Sequence, residues 1–145
     1  IRGLVHKHAV GANVRYEPLK KIDIAVFIGL GARHEWEVWN YAGIADSTDL
    51  IGALSNVNTT LWRMASYAGV IKEFGEAFSV DASIYYQPSL ITIANYRLGS
   101  SARVTYNFTK NLGLSILYQN IYESRPVVPI DPLFHDINFG VTINF

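Results

Sequence analysis

The sequence predicts an all-β fold, an antiparallel up-and-down transmembrane β-barrel, and three observations predict it. Apolar and polar residues alternate over long runs, most runs reach about ten residues, and the connections between them are alternately short and long. Strict alternation marks a strand whose two faces meet different environments. Strands of globular sheets are typically about 5 or 6 residues long, whereas a tilted strand needs about 9 to 11 to cross a bilayer. Short turns on one side and long loops on the other are the pattern of bacterial outer-membrane barrels, with the turns towards the periplasm.

Taken in order, the first run spans residues 4–17, with Val10, Ala12, Val14 and Tyr16 on its apolar side. The second is the clearest: Ile22, Ile24, Val26, Ile28, Leu30, Ala32, His34, Trp36 and Val38 alternate with Asp23, Ala25, Phe27, Gly29, Gly31, Arg33, Glu35 and Glu37. Further runs cover 59–71 (Trp62, Met64, Ala68, Val70), 78–88 (Phe78, Val80, Ala82, Ile84, Tyr86), 96–108 (Tyr96, Leu98, Ala102, Val104, Tyr106, Phe108) and 112–124 (Leu112, Leu114, Ile116, Tyr118). The last sets Ile137, Phe139, Val141, Ile143 and Phe145 against Asp136, Asn138, Gly140, Thr142 and Asn144. Short links fall at Pro18–Lys21, Lys72–Glu76 and Thr109–Asn111, and longer ones at 40–58, 89–95 and 125–133. No helix is required anywhere.

Length and composition bound the function. The 145 residues make one domain, 50% hydrophobic and formally uncharged overall, so no clustered positive field is on offer to nucleic acid. Cysteine is absent, which removes disulfides and thiolate metal sites. No apolar run reaches the roughly 18 to 20 residues of a membrane-spanning helix, so any crossing must be made by strands. The chain begins at Ile1 without a Met, which is read as a trimmed N-terminus. Bacterial single-chain barrels have even strand numbers, so the seven visible strands are expected to be part of a barrel of about 8 to 12, with at least one strand upstream.

The charges assign the faces. Lys20, Lys21, Lys72 and Lys110 sit at the short turns, whereas arginines lie within strands on the polar face, interleaved with glycine and serine. Planar guanidinium groups bridge several acceptors in a confined space. The expectation is a packed polar lumen with a network of Arg33, Glu35, Arg63, Asp81, Arg97 and Arg103. The opposite face carries aromatic residues near strand ends, Tyr16, Trp36, Trp62, Tyr86, Tyr106 and Phe145 among them. They match the interfacial girdles of a barrel that faces outer-membrane lipid.

Signals for chemistry are weak. His6 and His8 share a strand face and lack an evident third ligand, so no metal is assigned. His34 and Glu35 are adjacent, as are His135 and Asp136, and adjacent strand residues point to opposite faces. Arg33 with Glu35 reads as a structural ion pair. No nucleophile elbow, phosphate loop or metalloprotease motif is present, and no cofactor is expected. The loop 40–58 holds Ile44, Leu50, Ile51 and Leu54, which either dock another envelope protein or fold over the barrel mouth.

Several segments resemble one family. Arg15-Tyr16-Glu17-Pro18-Leu19, Ile22-Asp23, Gly29 to Glu35, Tyr85-Tyr86-Gln87-Pro88 and Tyr122-Glu123-Ser124-Arg125-Pro126 are similar to the small outer-membrane barrels called DUF481, or salt-induced outer-membrane proteins. The resemblance spans roughly 9–145 and implies a barrel fold, an outer-membrane location and about three further upstream strands. It implies no activity. The expected function is a non-enzymatic outer-membrane barrel, a structural or docking component of an envelope assembly. The alternatives are a narrow channel for small solutes and a barrel-rim hydrolase.

Overall fold

A computed structural model of the chain describes residues 4–40 and 56–143. Each run of alternation becomes a strand: β1 (Leu4–Lys20), β2 (Ile24–Trp39), β3 (Val57–Phe74), β4 (Phe78–Pro88), β5 (Tyr96–Asn107), β6 (Leu112–Glu123) and β7 (Leu133–Ile143). They form one seven-stranded sheet in sequence order, and every neighbouring pair is antiparallel. The all-β class and the up-and-down order are thus as expected.

The sheet is not closed into a barrel: among the described residues β1 pairs with β2 and β7 with β6, and no pairing joins β1 to β7. With seven antiparallel strands, β1 and β7 run in the same direction, and a direct seam between them would be parallel, breaking the alternation that the hairpins impose.

The first turn also lies later than expected. β1 continues through Pro18 to Lys20, because its ladder with β2 shifts register between Tyr16 and Leu19. Such an irregularity on a strand with one free edge accommodates a proline, which has no N–H to donate. The link to β2 is Lys21–Asp23, where Lys21 N donates to Ile24 O at 2.8 Å. Asp23 is paired with Lys72, whose ammonium holds the carboxyl below the usual carboxylate range. The β3–β4 hairpin closes over Gly75–Ala77, with Gly75 at a φ of 70° that only glycine adopts without strain.

In-register pairing carries the alternation from strand to strand, so rows of like residues run across the sheet. Arg33 lies opposite Arg63, Asp81 opposite Arg103 and Arg97 opposite Glu123 on one face. The other face presents Leu30, Ile84, Val104, Ile116 and Phe139. Burial is opposite to that of a water-soluble fold: Glu35 is 1% exposed and Arg63 2%, whereas Val14 and Phe139 are each 75% exposed.

Long-range contacts show that the sheet curls around its polar face. Arg97 on β5 reaches Glu35 and Glu37 on β2 at 3.5 and 3.3 Å, although a flat sheet would set those strands about 14 Å apart. Tyr67 on β3 donates to Asn13 on β1 at 3.2 Å. Glycines make room inside the curl. The ring of Tyr85 lies over Gly99 and that of Tyr67 over Gly29, each in space that a Cβ would occupy. Arg15 in turn stacks 4.0 Å above Phe27.

At the end away from the short turns, the β6–β7 connection folds inward. Val128 packs on Trp39, both 1% exposed, with Leu4, Val57, Val127 and Ile130 around them. Of the loop 40–58, residues 41–55 lie outside the described residues, so the expected apolar patch of Ile44, Leu50, Ile51 and Leu54 lies outside them too.

The aromatic–glycine fit yields a prediction. Gly99→Val drives a side chain into the Tyr85 ring and should cost about 1 to 3 kcal/mol, read as a lower urea midpoint for the protein in detergent micelles. Adding Tyr85→Ala to the same chain should recover most of that loss. Equal midpoints for Gly99→Val and the unaltered chain would mean that the ring does not sit there.

Candidate functional site

The densest chemistry lies on the concave face near the Trp39 end. Glu35 and Glu37 are two apart on β2 and therefore point the same way, into the curl. Antiparallel pairing with β1 sets Lys7 directly opposite Glu37, and its ammonium contacts both Glu37 and, at 3.3 Å, Glu35. Arg33, one pleat further along β2, also binds Glu35.

From β3, Arg63 donates its Nε to Glu35 Oε2 at 3.1 Å. Its remaining nitrogens reach Gln87 O at 3.2 Å, Asn95 O at 3.4 Å and Asn95 Oδ1 at 3.2 Å. Arg63 thereby ties the start of β3 to the β4–β5 connection, where Ser89 bridges to Arg63 in a short antiparallel contact. Arg97 sits between Glu123 on β6, which accepts its Nε–H at 3.0 Å, and the two acids of β2. Trp39 donates its indole N–H to Glu37 Oε2 at 3.0 Å.

Glu35 thus touches four cations, Lys7, Arg33, Arg63 and Arg97, drawn from four strands. Arg63 and Arg97 meet it in a desolvated interior, where charge-assisted bonds are little screened by water, whereas Lys7 and Arg33 keep part of their surface in solvent. Such a cluster makes the concave face rigid. Among the described residues no group of three or more His, Cys, Asp or Glu could hold a metal ion.

Four of the six expected network residues, Arg33, Glu35, Arg63 and Arg97, are brought together. Asp81 and Arg103 are not part of the cluster. They face one another across β4 and β5, nearer the short turns, and neither makes an ion pair among the described residues. Arg103 is exposed there. The sequence reading set Glu123 among the acids of the polar lumen but missed Lys7, Glu37 and Trp39 as members of the cluster. Lys7 and Glu37 were in phase with the polar face, but only the ladder register tells which residue of the next strand each one meets. Trp39 is a large apolar residue in the polar phase, and that break in the pattern was the available signal of a plug.

The expected interfacial aromatics Tyr16, Trp36, Trp62, Tyr86 and Tyr106 all lie exposed on the apolar face, while Phe145 lies outside the described residues. His34 is on that face too, edge to face with Trp36 at 4.1 Å and tilted against Trp62 at 4.8 Å, away from Glu35. His6 and His8 meet edge to face at 4.9 Å.

With this geometry in view, comparison with known proteins found no match to the chain among family models, curated proteins or solved structures.

The cluster predicts unequal effects. Glu35→Gln removes the shared negative charge, brings an NH2 donor among cations and leaves the buried Arg63 and Arg97 without that counter-charge, a loss of about 3 to 5 kcal/mol in unfolding free energy. Arg103→Gln, at an exposed site without an ion pair, should stay within about 0.5 kcal/mol of the parent. Urea titration followed by tryptophan fluorescence measures both. Similar losses in the two variants would show that the cluster has no special role.

Proposed function

We propose that this chain is a non-enzymatic bacterial outer-membrane β-barrel protein whose concave polar face is a packed lumen and whose convex apolar face meets lipid, serving as a structural or docking component of an envelope assembly. The observation that carries this reading is the reversal of burial. Large apolar side chains cover the outside of the curl, and ionised ones fill the inside. In water such an outer face would be a contiguous apolar patch far beyond the few hundred Å² that soluble monomers expose. Against hydrocarbon it costs nothing, and its Trp and Tyr residues suit the headgroup region.

A bilayer does not tolerate free sheet edges, because unpaired backbone N–H and C=O groups cost several kcal/mol each there. The reading therefore includes further strands between β7 and β1. Their number must be odd, since β1 and β7 run the same way and every added neighbour is antiparallel. Kinship with the DUF481 barrels belongs to the same proposal and rests on the segments that resemble them.

Two features support a filled rather than a conducting lumen. The ion cluster spans the interior from β1 to β6, and Val128 with Trp39 covers one end. A rim hydrolase is disfavoured by His34, which packs between two tryptophans on the face opposite Glu35.

The test is insertion. Ile28→Arg places a charge on the middle of the convex face and should weaken folding into lipid vesicles by about 2 to 4 kcal/mol. The parent should show the altered gel migration of a folded barrel when unheated. Tolerance of the arginine in vesicles would argue that this face does not meet lipid. In planar bilayers the purified protein should give no steady conductance, and sustained openings would replace the packed-lumen reading with a narrow channel.

A further inference from the structure

The four histidines of the chain, His6, His8, His34 and His135, all lie on the convex face, each in the half of its strand away from the short turns. His6, His8 and His135 are exposed and His34 is half-buried. In that half of the face no described strand residue is Lys, Arg, Asp or Glu. Lys72 is also on the convex side, but it stands beside the short turns and is paired with Asp23. The residues that face the histidines from neighbouring strands are Val38 for His6, Trp36 for His8, Val10 and Trp62 for His34, and Asn120 for His135. None of these carries a charge.

Imidazole is the side chain that gains a positive charge between about pH 8 and about pH 5. On this band the new charge meets no carboxylate. His6 and His8 stand 4.9 Å apart, edge to face, so protonating both sets like charges side by side, a repulsion that an anion placed between them relieves. His34 packs against Trp36 and Trp62, and tryptophans at the end of a lipid-facing strand mark the level of the headgroups. The counter-charge therefore comes from outside the described residues. The histidines occupy β1 and β2 at one edge of the sheet and β7 at the other, yet they share one end of the strands. A lipid leaflet meets all of them at once, whereas a docked protein would cover one side.

We propose that this histidine band is a pH-dependent contact for the phosphate groups of anionic lipid. With neutral imidazoles the band is indifferent to headgroup charge, and with protonated ones it draws anionic headgroups to the rim. The inference rests on the reading that the convex face meets lipid. The chain carries its own reporters, because Trp36 and Trp62 are 43% and 50% exposed beside His34, whereas Trp39 is buried inside. Bromine on a lipid acyl chain quenches only the tryptophans that the lipid touches.

The experiment folds the full chain, with a chelator present, into vesicles of mixed phosphatidylcholine and phosphatidylglycerol, with bromine on one lipid or on the other. The ratio of the two quenching curves gives the preference of the tryptophan surface for the anionic lipid. That preference should be close to one at about pH 7.5 and rise about three- to ten-fold at about pH 5.5. The rise should be mostly lost in the triple variant His6→Gln, His8→Gln, His34→Gln, and His8→Arg should show a preference at both pH values. If the triple variant does not insert, the pair His6→Gln, His8→Gln takes its place. The proposal is overturned by equal preference at the two pH values, by an undiminished rise in the inserted glutamine variants, or by a His8→Arg chain that still needs acid. Insertion into phosphatidylcholine alone, followed by unheated gel migration, reports on the membrane reading. A chain that inserts there without any pH-dependent preference sinks the histidine proposal alone, and a chain that inserts into no vesicle sinks both.

Discussion

Arg97 spans the curl of the sheet, holding Glu123 on the adjacent strand and both acids of β2 on the far side. The shape depends on that reach. A sheet of alternating residues has two equivalent ways to bend, and nothing in backbone pairing alone selects which face becomes concave. Ionised groups meeting across the interior select it, because guanidinium and carboxylate gain most where water is scarce and partners converge from several strands. Once the polar face is concave, the apolar face is necessarily convex and turned outward.

The interior that results is specific rather than cheap. Burying several ions carries a desolvation cost that their mutual attraction offsets only when the geometry is good. The chain supplies that geometry through register. Lys7 faces Glu37, Arg63 lies two residues along from the Glu35–Leu61 pair, and Glu123 faces Arg97. A slip of one residue would turn every one of these side chains to the other face. Hydrophobic contact would forgive such a slip more readily, since one branched aliphatic row packs much like another. The aromatic rings seated over Gly29 and Gly99 add a second lock of the same kind, because each ring fits only where its partner has no Cβ.

Much of the fold was legible because period two is written into each strand independently. The run from Ile24 to Trp39 needs no knowledge of its neighbours to be recognised, and the parity of Arg33, Glu35, Arg63 and Arg97 placed them on one face before any ladder was known. Contacts that depend on two strands at once were not legible. Lys7 stood alone in the sequence, thirty positions from Glu37 in the chain, and Glu123 could be placed among the lumen acids but not matched to Arg97. Asp81 and Arg103 show the converse: the right face and opposite register positions, yet a level of the curl where no ion pair forms. Pro18 misled because a proline after a charged residue reads as a turn, while the register shift in β1 lets the strand run on. The inward fold of Val127 and Val128 was hidden in a connection whose prolines suggested only a loop.

Strand length differs across the sheet in a way that has its own consequence. β1, β2 and β3 hold 17, 16 and 18 residues, whereas β4 to β7 hold only 11 or 12. The β3–β4 ladder runs only from Phe74 back to Ser66, so the additional length stands at the end that carries Trp39. At about 3.3 Å per residue the excess amounts to roughly 13 to 24 Å. The rim there is a parapet on one side and a low sill on the other. A molecule arriving at that end meets a taller strand wall on the side of the first three strands than on the side of the other four. The sheet thus has a front and a back that differ in height, an asymmetry set by strand length alone and independent of any side chain.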